Sequence, residues 1–363
     1  MFDVLKIKKA RALCWLDDET LLLFKKHFLF SYNIATKSSI KICPLSLTLK
    51  QSIFSHFSLT RRLLRLYPMA PAINYVTNEL FFSFQGAVYS FDLNNKTISK
   101  EIDLNHGASR VLNICVCNNG DVLFGEYPTK KDEKPILIYK REKKQKWKGV
   151  YSFKPNAIRH IHLLKEYQDD IYCFTGDENK ETKILCFKNG DFNVEPTILA
   201  SGNQTFRTCV ATFNDNKLYY VTDNPYFENG LYSFDLLTGT MHKIFAVEGS
   251  VIYGLDSNDS LFFSTAVEKN LMKDSNGENV VIKIDGKNGG IRSKNVYLYH
   301  YKIDKQELIK IAGFRKDFYS IKYFGLGSFV FPCNSSDKYL ATSLSSIKPS
   351  EATLCFPLKS EVL

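Results

Sequence analysis

The chain has 363 residues, 44% of them hydrophobic and 14% aromatic, enough apolar material for a large, β-rich core and incompatible with a disordered or low-complexity protein. Its net charge of +10, from 48 Lys and Arg against 38 Asp and Glu, favours anionic partners such as nucleic acid, acidic glycan or a membrane surface. No apolar run reaches membrane length, the N-terminus lacks a secretory leader, and none of the nine cysteines forms a CxxC pair, so we expect a reduced cytoplasmic protein without a membrane span.

Taken in order, the chain repeats one unit: a short strand, an Asx or Gly turn, an aromatic second strand, a loop, and a hairpin. Second strands are read at 21–24, 80–84, 122–127, 171–177, 218–223 and 261–265. Third strands begin at 87, 136, 183 and 231, spaced by 49, 47 and 48 residues. Four short strands per unit of that length is the pattern of a β-propeller blade. The expected fold is therefore all-β, a single β-propeller domain over residues 1–363 with seven four-stranded blades. Six is the alternative if the last unit, from Tyr319 to Leu358, merely completes the first blade. Insertions are read near 45–60, as an irregular connection, and near 268–295, as a surface loop inside the sixth blade.

Arginines recur with the blade period. Arg11, Arg62, Arg110, Arg159 and Arg207 are separated by 51, 48, 49 and 48 residues and are placed at the starts of first strands, with Tyr253 near the equivalent point of the sixth unit. Glu126, Asp177, Asp223 and Glu268 fall at the ends of second strands. Arginines ringing a funnel with carboxylates nearby are material for reading an anion, and the same arginines serve equally well as bridges between blades. Arg62, Arg110, Arg159, Arg207, Glu126 and Tyr253 are the candidate substrate-binding residues.

The unit at 157–178 differs from the rest, because His160 and His162 have no counterparts elsewhere. Strand alternation puts these two on one side and Arg159 on the other. With Asp177, Asp223 and Glu268 they form the candidate catalytic set, the histidines for proton transfer and the carboxylates as acid, base or orienting groups. His160, His162 and Asp177 or Glu126 have the composition of a metal site, but the nearby arginines oppose a cation, and we expect neither a metal nor another cofactor. No P-loop, GxGxxG turn, serine elbow or HExxH motif is present. The basic run Lys140–Lys148 lacks interleaved aromatics and reads as a hairpin turn, so no nucleic-acid partner is expected.

Five segments, RHIH at 159–162, TGDE at 175–178, QTFR at 204–207, TDNP at 222–225 and TAVE at 265–268, resemble bacterial sialidase-like propellers of the BNR type. The Asp-box of that family corresponds here to a degenerate hairpin at 139–147 that keeps Trp147. The resemblance implies a glycosyl hydrolase with an arginine cluster on a sugar carboxylate, for which Arg110, Arg159 and Arg207 stand in the right series. Propeller lyases that act on acidic polysaccharides by β-elimination use histidine, tyrosine and arginine around a uronate, and His160, His162, Tyr253 and Arg207 suit that chemistry as well.

Two functions of different class follow. One is a carbohydrate-active enzyme working on a carboxylated sugar or glycan by hydrolysis or β-elimination. The other is a non-catalytic propeller that binds an acidic glycan or a protein partner through the same mouth. Oligomeric state is left open by the sequence.

Overall fold

A computed structural model describes residues 4–104, 110–128, 134–257, 259–348 and 351–358. The fold class is the expected one: an all-β propeller of seven four-stranded blades, with little helix. The chain divides into two compact units, Met1–Tyr67 with Val210–Leu363, and Pro68–Cys209.

The second unit contains three blades. Their strands are Met69–Asn74, Glu79–Phe84, Ala87–Asp92 and Ile98–Asp103; then Ile114–Val116, Val122–Gly125, Ile136–Arg141 and Lys148–Phe153; then Ile161–Tyr167, Asp170–Thr175, Lys183–Phe187 and Thr197–Ser201. Each sheet is antiparallel and ordered as its strands occur in the chain. The second strands Glu79–Phe84 and Asp170–Thr175 are buried along their whole length, because both faces of the sheet meet a neighbouring layer. That is why they read as unbroken apolar runs rather than alternating ones. One core layer is built from Phe81, Val88, Ile114, Val122, Phe124 and Tyr139. The next is built from Leu123, Ile138, Ile161, Leu164, Ile171, Cys173 and Phe187. Burial of each such large side chain contributes about 1.5–3 kcal/mol.

Close approach between these blades needs a residue without a side chain. A Cβ on Gly125 would stand 2.5 Å from the Ile161 side chain. Trp147 packs 4.9 Å from the Phe124 ring and donates its indole N–H to Glu101 of the preceding blade at 3.2 Å. Glu101 and Glu79 together hold the buried Arg141, at 3.1 and 3.0 Å. The basic run is a hairpin turn, with Lys148 paired to Glu142 at 2.7 Å and Lys140 to Asp121 at 2.8 Å.

The first unit contains four blades, one of which begins two residues before Val210: Arg11–Trp15 to Ser39–Pro44, Thr208–Asn214 to Met241–Val247, Val251–Ser257 to Glu307–Arg315, and a final sheet. That last sheet settles the count at seven. Its strands Ser328–Val330, Tyr339–Ser345 and Ala352–Pro357 are completed by the N-terminal strand Leu5–Lys8, with Leu5 opposite Cys355. Both insertions have structure of their own. The 45–60 segment is helical, Leu49–Phe54 followed by Ser58–Leu63, and it opens with a capping box in which Thr48 and Gln51 bond reciprocally at 3.3 and 3.1 Å. The 268–295 insertion carries a small ribbon of Leu271–Lys273 against Asn279–Val281.

Candidate functional site

The second unit gathers Arg159, His160, His162 and Arg207 around one carboxylate, that of Asp177. Asp177 follows strand Asp170–Thr175 after Gly176, whose backbone lies at φ +156° and whose missing Cβ would stand 3.0 Å from Thr182 Oγ1 and 3.5 Å from Arg207 Cγ. Gln204 donates to the Asp177 carbonyl at 2.7 Å and so fixes the turn. Gln204 itself sits in the short 3-10 helix Gln204–Phe206, capped by the Asn203 side chain on Thr205 N. Arg207 ends that helix and reaches Asp177 Oδ1 at 3.0 Å and the Asp177 carbonyl at 3.3 Å.

The histidines come from the entry to strand Ile161–Tyr167. Ile161 pairs with Thr175, and the register then slips by one so that Leu163 faces Phe174. His162 is therefore the extra residue of a bulge, a device that re-aims side chains beside functional sites. Its Nε2 lies 3.0 Å from His160 Nε2 and 3.5 Å from Asp177 Oδ1, while His160 Nε2 lies 3.2 Å from the same oxygen. Arg159 reaches the other carboxylate oxygen at 3.2 Å. Strict strand alternation would turn Arg159 away from His160. Both instead meet Asp177, because they precede the regular strand and the guanidinium stem is long enough to bend back.

Both imidazoles are buried, and their Nδ1 atoms have no hydrogen-bond partner among the described residues. The Tyr127 ring covers His160 at 3.8 Å between centroids. Tyr127 is in turn held by the Arg110 main chain, whose N–H donates to the Tyr127 carbonyl at 3.1 Å. Solvent reaches mainly Arg159, whose side chain is 40% exposed, against 17% for Asp177 and 11% for Arg207. Burial pushes His160 down to about 4, with Asp177 opposing, so its ring is neutral near pH 7. Burial alone would raise Asp177, but Arg207 and the two imidazoles more than offset it and hold the carboxyl far below its usual range.

Glu126 is fully buried beside this group. Its carboxylate accepts from Leu137 N at 2.9 Å and its carbonyl from Ile161 N at 3.0 Å, so it ties the histidine strand to the preceding blade. Gln204 and Tyr127 are the contributors that the sequence assigned no role. Gln204 was marked by its place in the QTFR segment, three residues before an arginine of the periodic series.

The remaining candidates belong to the first unit. Arg62 does not start a strand. It lies on helix Ser58–Leu63, buried, on Asp317 at 2.7 Å, Ser346 Oγ at 2.9 Å and the Phe324 carbonyl at 3.2 Å. Its place in the arginine series reflects the added helices rather than the blade geometry. Tyr253 stands at a register shift between Val251 and Tyr253 in strand Val251–Ser257 and acts electrostatically on the partly buried Arg11. Asp223 is buried after strand Lys217–Thr222, in a turn built on Asn229, which bonds Thr222 and Asn224 at 2.9 Å each. Glu268 follows Val267, which bridges to Gly327.

No protein-family model matches the chain, and neither does any curated protein. Solved structures do match its fold. An oligogalacturonate lyase in complex with manganese aligns with a TM-score of 0.60 and 8% identity, over 99% of this chain and 92% of that one. The oligogalacturonate lyase from Vibrio parahaemolyticus aligns with 0.60 and 7%, over 99% and 93%. A chain of the mitotic checkpoint complex aligns with 0.56 and 9%, over 99% and 95%. At such identities the likeness is one of fold, and it places this chain among β-propellers that include both lyases and a protein-assembly component.

Proposed function

We propose that the chain acts on a carboxylated sugar, by β-elimination, at the Asp177 cluster. One observation carries the reading: two guanidinium groups converge on one carboxylate, and it is Arg159, the more exposed of the two, that turns its remaining donors to solvent. A planar carboxylate on the sugar fits the unused donors of Arg159. Neutralising that carboxylate acidifies the adjacent C–H, and a neutral imidazole beside it has the protonation state of a general base. Lyases acting on an oligogalacturonate share this fold, which favours elimination over hydrolysis. A sialidase-like triad of Arg110, Arg159 and Arg207 is less favoured, because Asp177 already engages two of the three.

In a different use of the same side chains, with the imidazoles as ligands and not as the base, the group suits a divalent cation. His160, His162 and Asp177 offer one atom each, all within 4.8 Å of one another. Separations of 3.0, 3.2 and 3.5 Å are those of neighbouring ligands on an ion with bonds of about 2.1 Å. Such an ion, when bound, supplies a Lewis acid for the sugar carboxylate.

Burial of both imidazoles beneath Tyr127 favours a second reading, retention of an acidic glycan without turnover. Incubation with oligogalacturonate and other acidic oligosaccharides separates the two, following thermal shift together with the ultraviolet absorbance of unsaturated uronate. Absorbance lost in Arg159→Ala and His162→Ala supports elimination. A thermal shift with no product supports retention. Neither signal with any carboxylated sugar overturns both.

A further inference from the structure

We propose that the helical insertion of the first unit is a docking surface for anionic membrane, separate from the Asp177 cluster. Its helices are inside out. In Ser58–Leu63 the buried residues are the two arginines, Arg61 and Arg62, while Leu59 and Leu63 face outward. In Leu49–Phe54 no residue is buried. Leu49 is 79% exposed and Phe57, between the helices, 62%, with Ile53 and Phe54 also exposed. A surface helix normally turns its charges to water and its leucines to the core. Here the charges are consumed inside: Arg61 bonds the Ser55 carbonyl and Glu351, which also accepts from Tyr67, and Arg62 is paired to Asp317. The body of the protein holds this segment by its polar side and presents its apolar side.

Charge selects the occupant. From residue 20 to residue 78 the chain has no Asp or Glu, against eight Lys and Arg. Lys50 and Arg65 are exposed at either end of the helical pair. The next segment, which packs on the second helix through Arg62 over the Tyr319 and Phe324 rings, adds exposed Phe318, Tyr323, Lys322 and Lys348. Among the described residues, the acids paired here are Asp317, taken by Arg62, and Glu351, taken by Arg61. Apolar and aromatic side chains flanked by exposed Lys50, Arg65, Lys322 and Lys348, with Asp317 and Glu351 among the described residues already paired, fit a layer that is hydrocarbon below and anionic above. A protein interface of this apolarity would not require the surrounding positive charge.

The test is sedimentation of the full chain with vesicles of phosphatidylcholine alone and of phosphatidylcholine with one-third phosphatidylglycerol. We expect binding to the anionic vesicles only, weakened at least tenfold by Phe54→Ser/Phe57→Ser and by Lys50→Glu/Arg65→Glu, and weakened by salt. Circular dichroism and melting temperature of each variant verify that the fold is retained. Elimination activity on soluble sugar serves as a control that these variants leave unchanged. Equal binding of wild type and both variants, or none at all, overturns the proposal. So does a concentration-dependent dimer that Phe54→Ser/Phe57→Ser dissolves, since that assigns the patch to a second copy of the chain.

Discussion

Arg207 grips Asp177 twice, taking the carboxylate oxygen at 3.0 Å and the main-chain carbonyl at 3.3 Å. The pair is largely shielded from water, so neither partner is easily removed. In Asp177→Ala Arg207 loses this carboxylate, and the two imidazoles lose the oxygen they share. We expect a loss of roughly 3 kcal/mol of stability, read from denaturant unfolding, together with loss of carboxylated-sugar processing. Unchanged stability would mean that Asp177 is not the hub.

Gly176 sets how closely that hub can approach. A Cβ there lies 3.0 Å from Thr182 Oγ1 and 3.5 Å from Arg207 Cγ, on a backbone at φ +156° that side chains rarely adopt. Gly176→Ala should cost about 1–3 kcal/mol and displace Arg207. The expected kinetic signature is a raised KM with a smaller effect on kcat, since the substitution acts through charge placement. An unaltered KM would show that Arg207 is not used for binding.

Much of this was legible in the sequence for a simple physical reason. Blades are built from local antiparallel pairs, so every second strand leaves a continuous apolar run and every blade leaves the same spacing. The RHIH segment stood out because nothing else in the series resembles it. What was not legible depends on long-range or irregular backbone. The closing strand Leu5–Lys8 pairs with residues some 350 positions away. The bulge at His162 undoes strict alternation. Arg62 entered the series by coincidence of spacing, and the Thr48–Gln51 capping box that marks its helices was passed over as irregular. Tyr127 joins the site by stacking on His160 from the neighbouring blade, where its main chain bridges Arg110.

Stability should fall on acidification. His160 is depressed to about 4 by burial, whereas an unfolded histidine titrates near 6.5. Between those values the unfolded state binds the extra proton, so the stabilisation is complete above about 6.5 and is lost as pH falls toward 4. The difference corresponds to up to about 3 kcal/mol. Asp177, also depressed, adds a further loss only below the ordinary carboxylate range. In chelator-treated protein, His160→Gln should flatten the upper part of this profile and leave the most acidic part. A wild-type profile flat from pH 4 to 6.5 would contradict the buried neutral ring.

Metal binding can be measured without substrate. If His160, His162 and Asp177 hold a divalent cation, manganese or zinc should raise the melting temperature of wild type, by roughly 2.7 kcal/mol of stability at a hundredfold excess over Kd. His162→Ala should abolish the shift, and Glu268→Gln should preserve it. A shift that survives His162→Ala locates the ion elsewhere.

The two arginines that spacing alone ranked as equals should separate cleanly. Arg159 is 40% exposed and shares Asp177 with Arg207, and half-exposed ion pairs contribute little, about 0–1 kcal/mol. Arg62 is paired with Asp317 where both side chains are at most 5% exposed, and removing one partner of such a pair costs about 3–5 kcal/mol. Arg159→Ala should therefore fold with a near wild-type melting temperature and lose affinity for carboxylated sugar by tenfold or more. Arg62→Ala should melt well below wild type and, in whatever fraction remains folded, bind the sugar normally. Paired thermal melts and binding isotherms decide it. If Arg159→Ala binds normally, the positive charge at the mouth of the cluster is not what receives the anion, and the sugar site must be sought elsewhere in the propeller.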